Sequence, residues 1–151
     1  MNMRYALKSE ETEQVNIIDW ARWQIASHPE LALLHHCPNG GSRNKAEAVK
    51  LKQMGVMAGV PDLHLPVPKG IYAGLYIELK YNKGRIEPSQ RDFLKQAAKY
   101  GNFCAVCYGA EEAISIIKEY IGLKIIDTGK RENRMKMPNL AVFRDGKVEP
   151  L

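Results

Sequence analysis

The stretch GVPDLHLPVPKGIYAGLYIELKYNKG, residues 59–84, decides how the rest of the chain is read. It contains two runs with the alternation of β-strands, roughly Asp62 to Val67 and Tyr72 to Lys80, joined through PKGIYAG. In LYIELK, Leu75, Ile77 and Leu79 share one face, while Tyr76, Glu78 and Lys80 share the other. In PDLHLPV, Leu63, Leu65 and Val67 form the apolar face and leave Asp62 and His64 opposite it. Paired as an antiparallel hairpin, the two runs bring the start of the first beside the end of the second. Asp62 then meets Glu78 and Lys80, although fifteen residues lie between the two acids. Pro61 biases Val60 toward extended backbone, and Gly59 permits close approach of backbone or ligand.

Two carboxylates and an ammonium at one place make a specific chemical tool. Asp62 and Glu78 offer hard oxygen ligands suited to Mg²⁺ or Mn²⁺, ions that keep waters and take further ligands from a substrate phosphate. The Leu79 carbonyl is a possible backbone ligand, and Lys80 is placed to orient a nucleophile or to meet negative charge growing on phosphorus-bound oxygens. Taken alone the string is weak, because a lysine beside a glutamate on a strand is more often a solvated ion pair.

The flanking segments supply a scaffold. Ser9 caps a helix running through EETEQVNIIDWARWQIA, with an acidic first turn and with Val15, Ile18, Trp20, Ala21 and Ile25 at helical spacing. LALLHHC, residues 31–37, reads as a short strand on which His35 and His36 point to opposite faces, and PNGGSRN reads as a turn. KAEAVKLKQMG is a second helix closed by Gly55. After the two central strands and the polar loop YNKGRIEP comes a helix opened by Pro88 and Ser89. A strand, NFCAVCYG, and a fourth helix, AEEAISIIKEYIG, follow. This order predicts an α/β fold with helices packed around a mixed sheet.

Residues 1–122 form the expected main domain. The tail from Leu123 carries seven Lys/Arg against four Asp/Glu and ends in NLAVFRDGKVEPL, whose Asp-Gly marks a β-hairpin packed on the same domain or exchanged from it. The chain has 151 residues, 45% of them hydrophobic and 26% charged, which suits one folded unit rather than a disordered chain. It shows neither a signal peptide nor an apolar run long enough for a bilayer, so cytoplasm is the expectation. Three cysteines, an odd number, argue against a disulfide framework, and Cys104 and Cys107 read as packing residues of a strand. The net charge of +5 is compatible with a polyanionic partner.

Several motifs in a fixed order raise the acid pair above coincidence. They are E-x-x-x-Q at Glu10 and Gln14 followed by Trp20, PNGG at 38–41, GVPDL at 59–63, IELK at 77–80, Ser89-Gln90, and CYG at 107–109 before EEAI. In this the chain resembles the VRR-NUC branch of the PD-(D/E)xK nucleases, in the short standalone form of phages and prophages, from about Ser9 to Tyr120.

The resemblance implies a restriction-endonuclease-like core and Mg²⁺ or Mn²⁺ as the cofactor, with no small-molecule cofactor. It implies Asp62 and Glu78 as metal ligands, Lys80 as the catalytic lysine, and a helix-borne acid near the N-terminus. Glu10 is the choice for that acid, with Glu11 and Glu13 as alternatives. Gln90 corresponds to a glutamine that approaches the reacting phosphate. Asn39, Arg43, Lys45, Lys83 and Arg85 are candidate phosphate contacts. The implied activity is structure-selective DNA cleavage, with Holliday-junction resolution by a homodimer. A flap or single-strand nuclease and a non-catalytic nucleic-acid-binding module are the alternatives.

Overall fold

The computed structural model describes residues 9–38, 44–124 and 134–151. Asn39, Arg43 and the PNGG turn lie wholly or partly outside them. The first helix, α1 (Glu10–Gln24), starts where the sequence predicts. The Ser9 hydroxyl accepts the Thr12 N–H, and the Thr12 hydroxyl accepts the Ser9 N–H, so each residue satisfies a donor of the other. Ile17 and Ala21 form its buried stripe. Val15 does not belong to that stripe; it is 38% exposed, and the flanking apolar residues Ile18, Trp20 and Ile25 pack at the margin of the core.

The run LALLHHC departs from expectation. Pro29 opens a 3₁₀ turn over Pro29–Leu33, and only His35–His36 forms a strand, β1. A proline at the first position of a turn presets its φ and needs no N–H partner there, so the apolar run that follows curls before it extends. Next come α2 (Lys45–Gln53), β2 (Leu63–Leu65), β3 (Leu75–Lys80), α3 (Pro88–Lys99), β4 (Phe103–Tyr108), α4 (Ala110–Ile121), β5 (Leu140–Arg144) and β6 (Lys147–Pro150). Gly55 lies just past α2 with φ +100, the left-handed C-terminal stop the sequence predicts.

The six strands form one sheet in sequential order, β1-β2-β3-β4-β5-β6. β1, β2 and β3 pair antiparallel, β3, β4 and β5 pair parallel, and β6 returns antiparallel to β5. This is the expected mixed sheet flanked by helices. The terminal hairpin turns through Asp145 and Gly146, both at positive φ, as Asp-Gly hairpin turns require. Its inner strand extends the sheet from β4, so the tail contributes directly to the fold.

The period-two pattern of β3 sorts its side chains as predicted. Leu75, Ile77 and Leu79 join Leu63, Leu65, Phe103, Ala105 and Phe143 in the larger core, packed against Ile17 of α1 and against Ala113, Ile116, Ile117 and Tyr120 of α4. On the opposite face, Cys104, Val106 and Val142 pack against Leu94 of α3. Cys104 and Cys107 therefore serve different cores and are free thiols, and burial pushes the Cys104 thiol up to about 12, far from reactive thiolate.

Gly59 is where the chain before β2 meets α3. Its φ is +83, and a Cβ there would stand 2.3 Å from the Ser89 carbonyl oxygen and 2.8 Å from the Gln90 nitrogen. The approach is to protein backbone, which cannot swing aside as a flexible side chain does. We expect Gly59→Ala to lower the stability read from a urea melt by about 3 kcal/mol, combining overpacking with backbone strain. A change under 0.5 kcal/mol would mean that the α3 start tolerates displacement.

Candidate active site

The hairpin register fixes the site. Leu63 pairs with Ile77, so the preceding residue, Asp62, lies opposite Glu78. The Asp62 carboxylate is anchored from below: Oδ2 accepts the Leu79 N–H at 2.8 Å. Glu78 is only 2% exposed and Lys80 6%, which removes the reading of an ordinary surface ion pair. The Lys80 ammonium stands 3.2 Å from Glu78 Oε1. The side-chain amide of Gln90 donates to the same oxygen at 2.7 Å. Gln90 Oε1 in turn accepts the Glu87 N–H at 2.9 Å, so one amide caps the start of α3 and aims Glu78.

Glu78 Oε2, by contrast, is buried and has no hydrogen-bond partner among the described residues. A buried acceptor left unpaired is costly. Burial first, and then the Asp62 charge, push the Glu78 carboxyl up to about 7, against the opposing pull of Lys80. Burial also raises the Asp62 carboxyl, against the Leu79 N–H and the nearby His36 and Lys80. Both acids are held in a form that a cation would relieve.

Of the three N-terminal acids, two take distinct positions. The Glu10 charge adds to the upward push on Glu78, and a methyl group at Gly84 would lie 3.1 Å from Glu10 Oε1 and 3.5 Å from Lys80 Cδ. Glu10 thus reaches the loop that follows β3, beside the site. Glu13 instead accepts the Ala110 N–H at 2.6 Å and closes the start of α4. Glu11 is exposed. Among the described residues, no group of three or more His, Cys, Asp or Glu forms a ready-made metal cage. Two carboxylates with one empty buried oxygen are nonetheless the donor set Mg²⁺ uses when substrate phosphate completes its shell.

The histidines divide as neighbours of the site. His36 Nδ1 lies 2.7 Å from the Asp62 backbone oxygen. His64 stacks on Tyr76 at 4.1 Å with parallel planes, and His35 meets His64 edge-on at 5.3 Å. Lys83 and Arg85 are exposed on the loop between β3 and α3, next to Gly84, and Lys45 is exposed at the start of α2. The roles of Gln90 as a bridge and of Gly59 as its seat were not read from the sequence. Only the S-Q pair in the first turn of an amphipathic helix hinted at the first.

The fold and the acid cluster can be set beside known proteins. The family model for the VRR-NUC domain matches residues 6–111. The chain belongs to the VRR-NUC domain family. A solved VRR_NUC domain protein is similar at 32% identity and a TM-score of 0.67, with 80% of this chain and 92% of that one covered. No curated protein matches the sequence. The VRR-NUC match makes this a nuclease-type domain, and Asp62, Glu78 and Lys80 all lie inside the matched residues. Among the described residues of this VRR-NUC chain, no helix is long and apolar enough to cross a membrane.

Proposed function

We propose that the protein is a Mg²⁺- or Mn²⁺-dependent, structure-selective DNA endonuclease that works as a homodimer on branched DNA, a Holliday junction above all. The observation that carries the reading is the buried Glu78 carboxylate, paired with Lys80 on one oxygen and unpaired on the other among the described residues, directly across from Asp62. Asp62 and Glu78 hold the metal, with the Leu79 carbonyl and Glu10 completing the protein's share. Such an ion supplies Lewis-acid polarisation of a phosphoryl oxygen and lowers the pKa of water. Lys80, fixed by Glu78, meets the negative charge that grows on the phosphoryl oxygens during in-line attack. Gln90 keeps Glu78 oriented and borders the space the phosphate enters.

Lys45, Lys83 and Arg85 grip the backbone, a contact that reads shape rather than sequence. One site makes one cut. Two cuts in a symmetric junction require two sites related by a two-fold axis, which a homodimer supplies. The setting that suits this activity is the cytoplasm of a bacterial cell carrying a phage or prophage.

Four substrates test the proposal: a four-way junction, a flap, plain duplex and single-stranded DNA, each with Mg²⁺, Mn²⁺ or a chelator. Paired cuts near the branch point, lost with chelator, are the expected result. Preference for the flap or the single strand would replace the junction reading with the alternative nuclease. No cleavage in any divalent metal would leave only a DNA-binding module.

A further inference from the structure

A cleft of about 470 Å³ lies along β3 and α3, its lining reaching Tyr76 and Ser89 next to the acid cluster. The same two elements build both places. On β3, Tyr76 shares the face of Glu78 two residues earlier, a backbone spacing of roughly 7 Å. Gln90, Phe93 and Ala97 follow at helical spacing along one stripe of α3, and Tyr100 continues it at the C-cap. Gln90 touches Glu78, and Phe93 touches Tyr76, edge to face at 5.3 Å. The cleft continues along this stripe, and its lining includes Met57, Tyr76, Asp92, Phe93, Gln96 and Tyr100.

Tyr76 is held between two rings, with His64 stacked on it and Phe93 packed against it at a steep angle. Tyr100 is 73% exposed, and the Lys99 ammonium lies 5.8 Å from its ring centroid. A cleft lined by aromatic and polar side chains, with a lysine against its exposed tyrosine, suits a flat heterocycle joined to a phosphate. Both elements carry both places: on β3 Tyr76 of the cleft stands two residues from Glu78, and on α3 Ser89 of the cleft adjoins Gln90, a spacing comparable to that of neighbouring nucleotides.

We infer that this cleft receives one unstacked base of the DNA strand being cut, next to the scissile phosphate. The inference rests on the nuclease reading and extends it. Capture of an unpaired base gives selectivity for branch points, where bases leave the stack most readily, without any reading of sequence. Fixed rings reduce the ordering needed on binding.

The test uses the full chain with chelator present, so that binding is measured apart from cleavage. Four-way junctions carry 2-aminopurine at single positions around the cut, and each is titrated with wild type and with Tyr100→Ala. The exposure of Tyr100 leaves the fold untouched. In wild type, an emission change confined to one or two nucleotides beside the cut is expected. In Tyr100→Ala that change disappears and binding weakens by about tenfold, the scale of one base–aromatic stack.

Equal affinity and equal emission in the two proteins would overturn the inference. So would a Tyr100→Ala protein that loses its dimer by light scattering. The exposed Met57 of the cleft, with the exposed Met54 and Val56 just before it in the chain, would then belong to a contact with a second copy. If wild type cuts DNA and Tyr100→Ala binds equally well, only the base slot fails. If wild type cuts no DNA under any condition, it is the nuclease reading that fails.

Discussion

Replacing Lys80 with alanine is expected to reduce divalent-metal-dependent DNA cleavage by about a thousandfold, while DNA affinity with chelator present changes by less than about threefold. The expectation follows from burial. Lys80 is 6% exposed and stands against Glu78, so it is a poor place for a general phosphate contact. The exposed Lys83 and Arg85 are better placed to hold backbone and to set the salt dependence. A fixed cation beside the reacting phosphate acts where charge accumulates in the transition state, and such groups are costly to lose.

The variant also removes the charge that partly offsets the burial of Glu78, so metal must be saturating when rates are compared. Turnover near wild type would assign Lys80 a structural role only. Loss of binding and cleavage together would place it among the DNA-gripping residues. Either result would break the division of labour proposed between the buried cluster and the exposed cations.

How far this arrangement is legible in the chain depends on the range of the interaction. Strand alternation is local, so LYIELK and PDLHLPV disclose which residues share a face, and the hairpin register then sets Asp62 opposite Glu78. Caps are local too, and Ser9, Gly55 and the Asp145-Gly146 turn stand where the sequence puts them. The face of α1 is harder to read. Val15, Ile17, Ile18, Trp20, Ala21 and Trp23 offer more than one apolar stripe, and only packing against β3 and α4 selects Ile17 over Val15.

The strand expected through residues 31–37 shortens because Pro29 favours a turn whose cost no local pairing opposes. Contacts between distant segments carry no periodic signal at all. Gly59 against Ser89 and Gln90, and Gln90 against Glu78, become visible only once α3 is laid on the sheet. The parallel docking of β5 on β4 belongs to the same class.

The Glu78 carboxylate also sets how stability depends on pH and metal. Its carboxyl titrates near pH 7 in the folded chain, against about 4.5 when unfolded. Below about pH 4.5 both states hold the proton and the group is neutral toward folding. Between 4.5 and 7 the folded state retains a proton that the unfolded state has released, so stability falls as pH rises. Above 7 both are ionised and the full penalty of a buried anion remains, about 3 kcal/mol. Asp62, also raised, acts in the same direction.

His64 opposes both over the lower part of this range. Burial lowers its pKa, so the folded state resists protonation and loses stability as pH falls below about 6.5. Subtracting a Glu78→Gln variant isolates the glutamate from that background, since the amide keeps its shape without its charge. The wild-type melting temperature, measured with chelator, should fall relative to Glu78→Gln between pH 5 and pH 8.

Mg²⁺ or Mn²⁺ should raise the wild-type melting temperature at pH 8 far more than at pH 5, because only the ionised carboxylate binds the ion, and should leave Glu78→Gln nearly unmoved. This readout involves no DNA and no cleavage, so it tests the metal site apart from the reaction. A difference between wild type and variant that does not vary with pH would show that Glu78 is ionised throughout. A metal effect equal in the two proteins would place the ion elsewhere, and the empty Oε2 would then be a structural cost with no ligand to offset it.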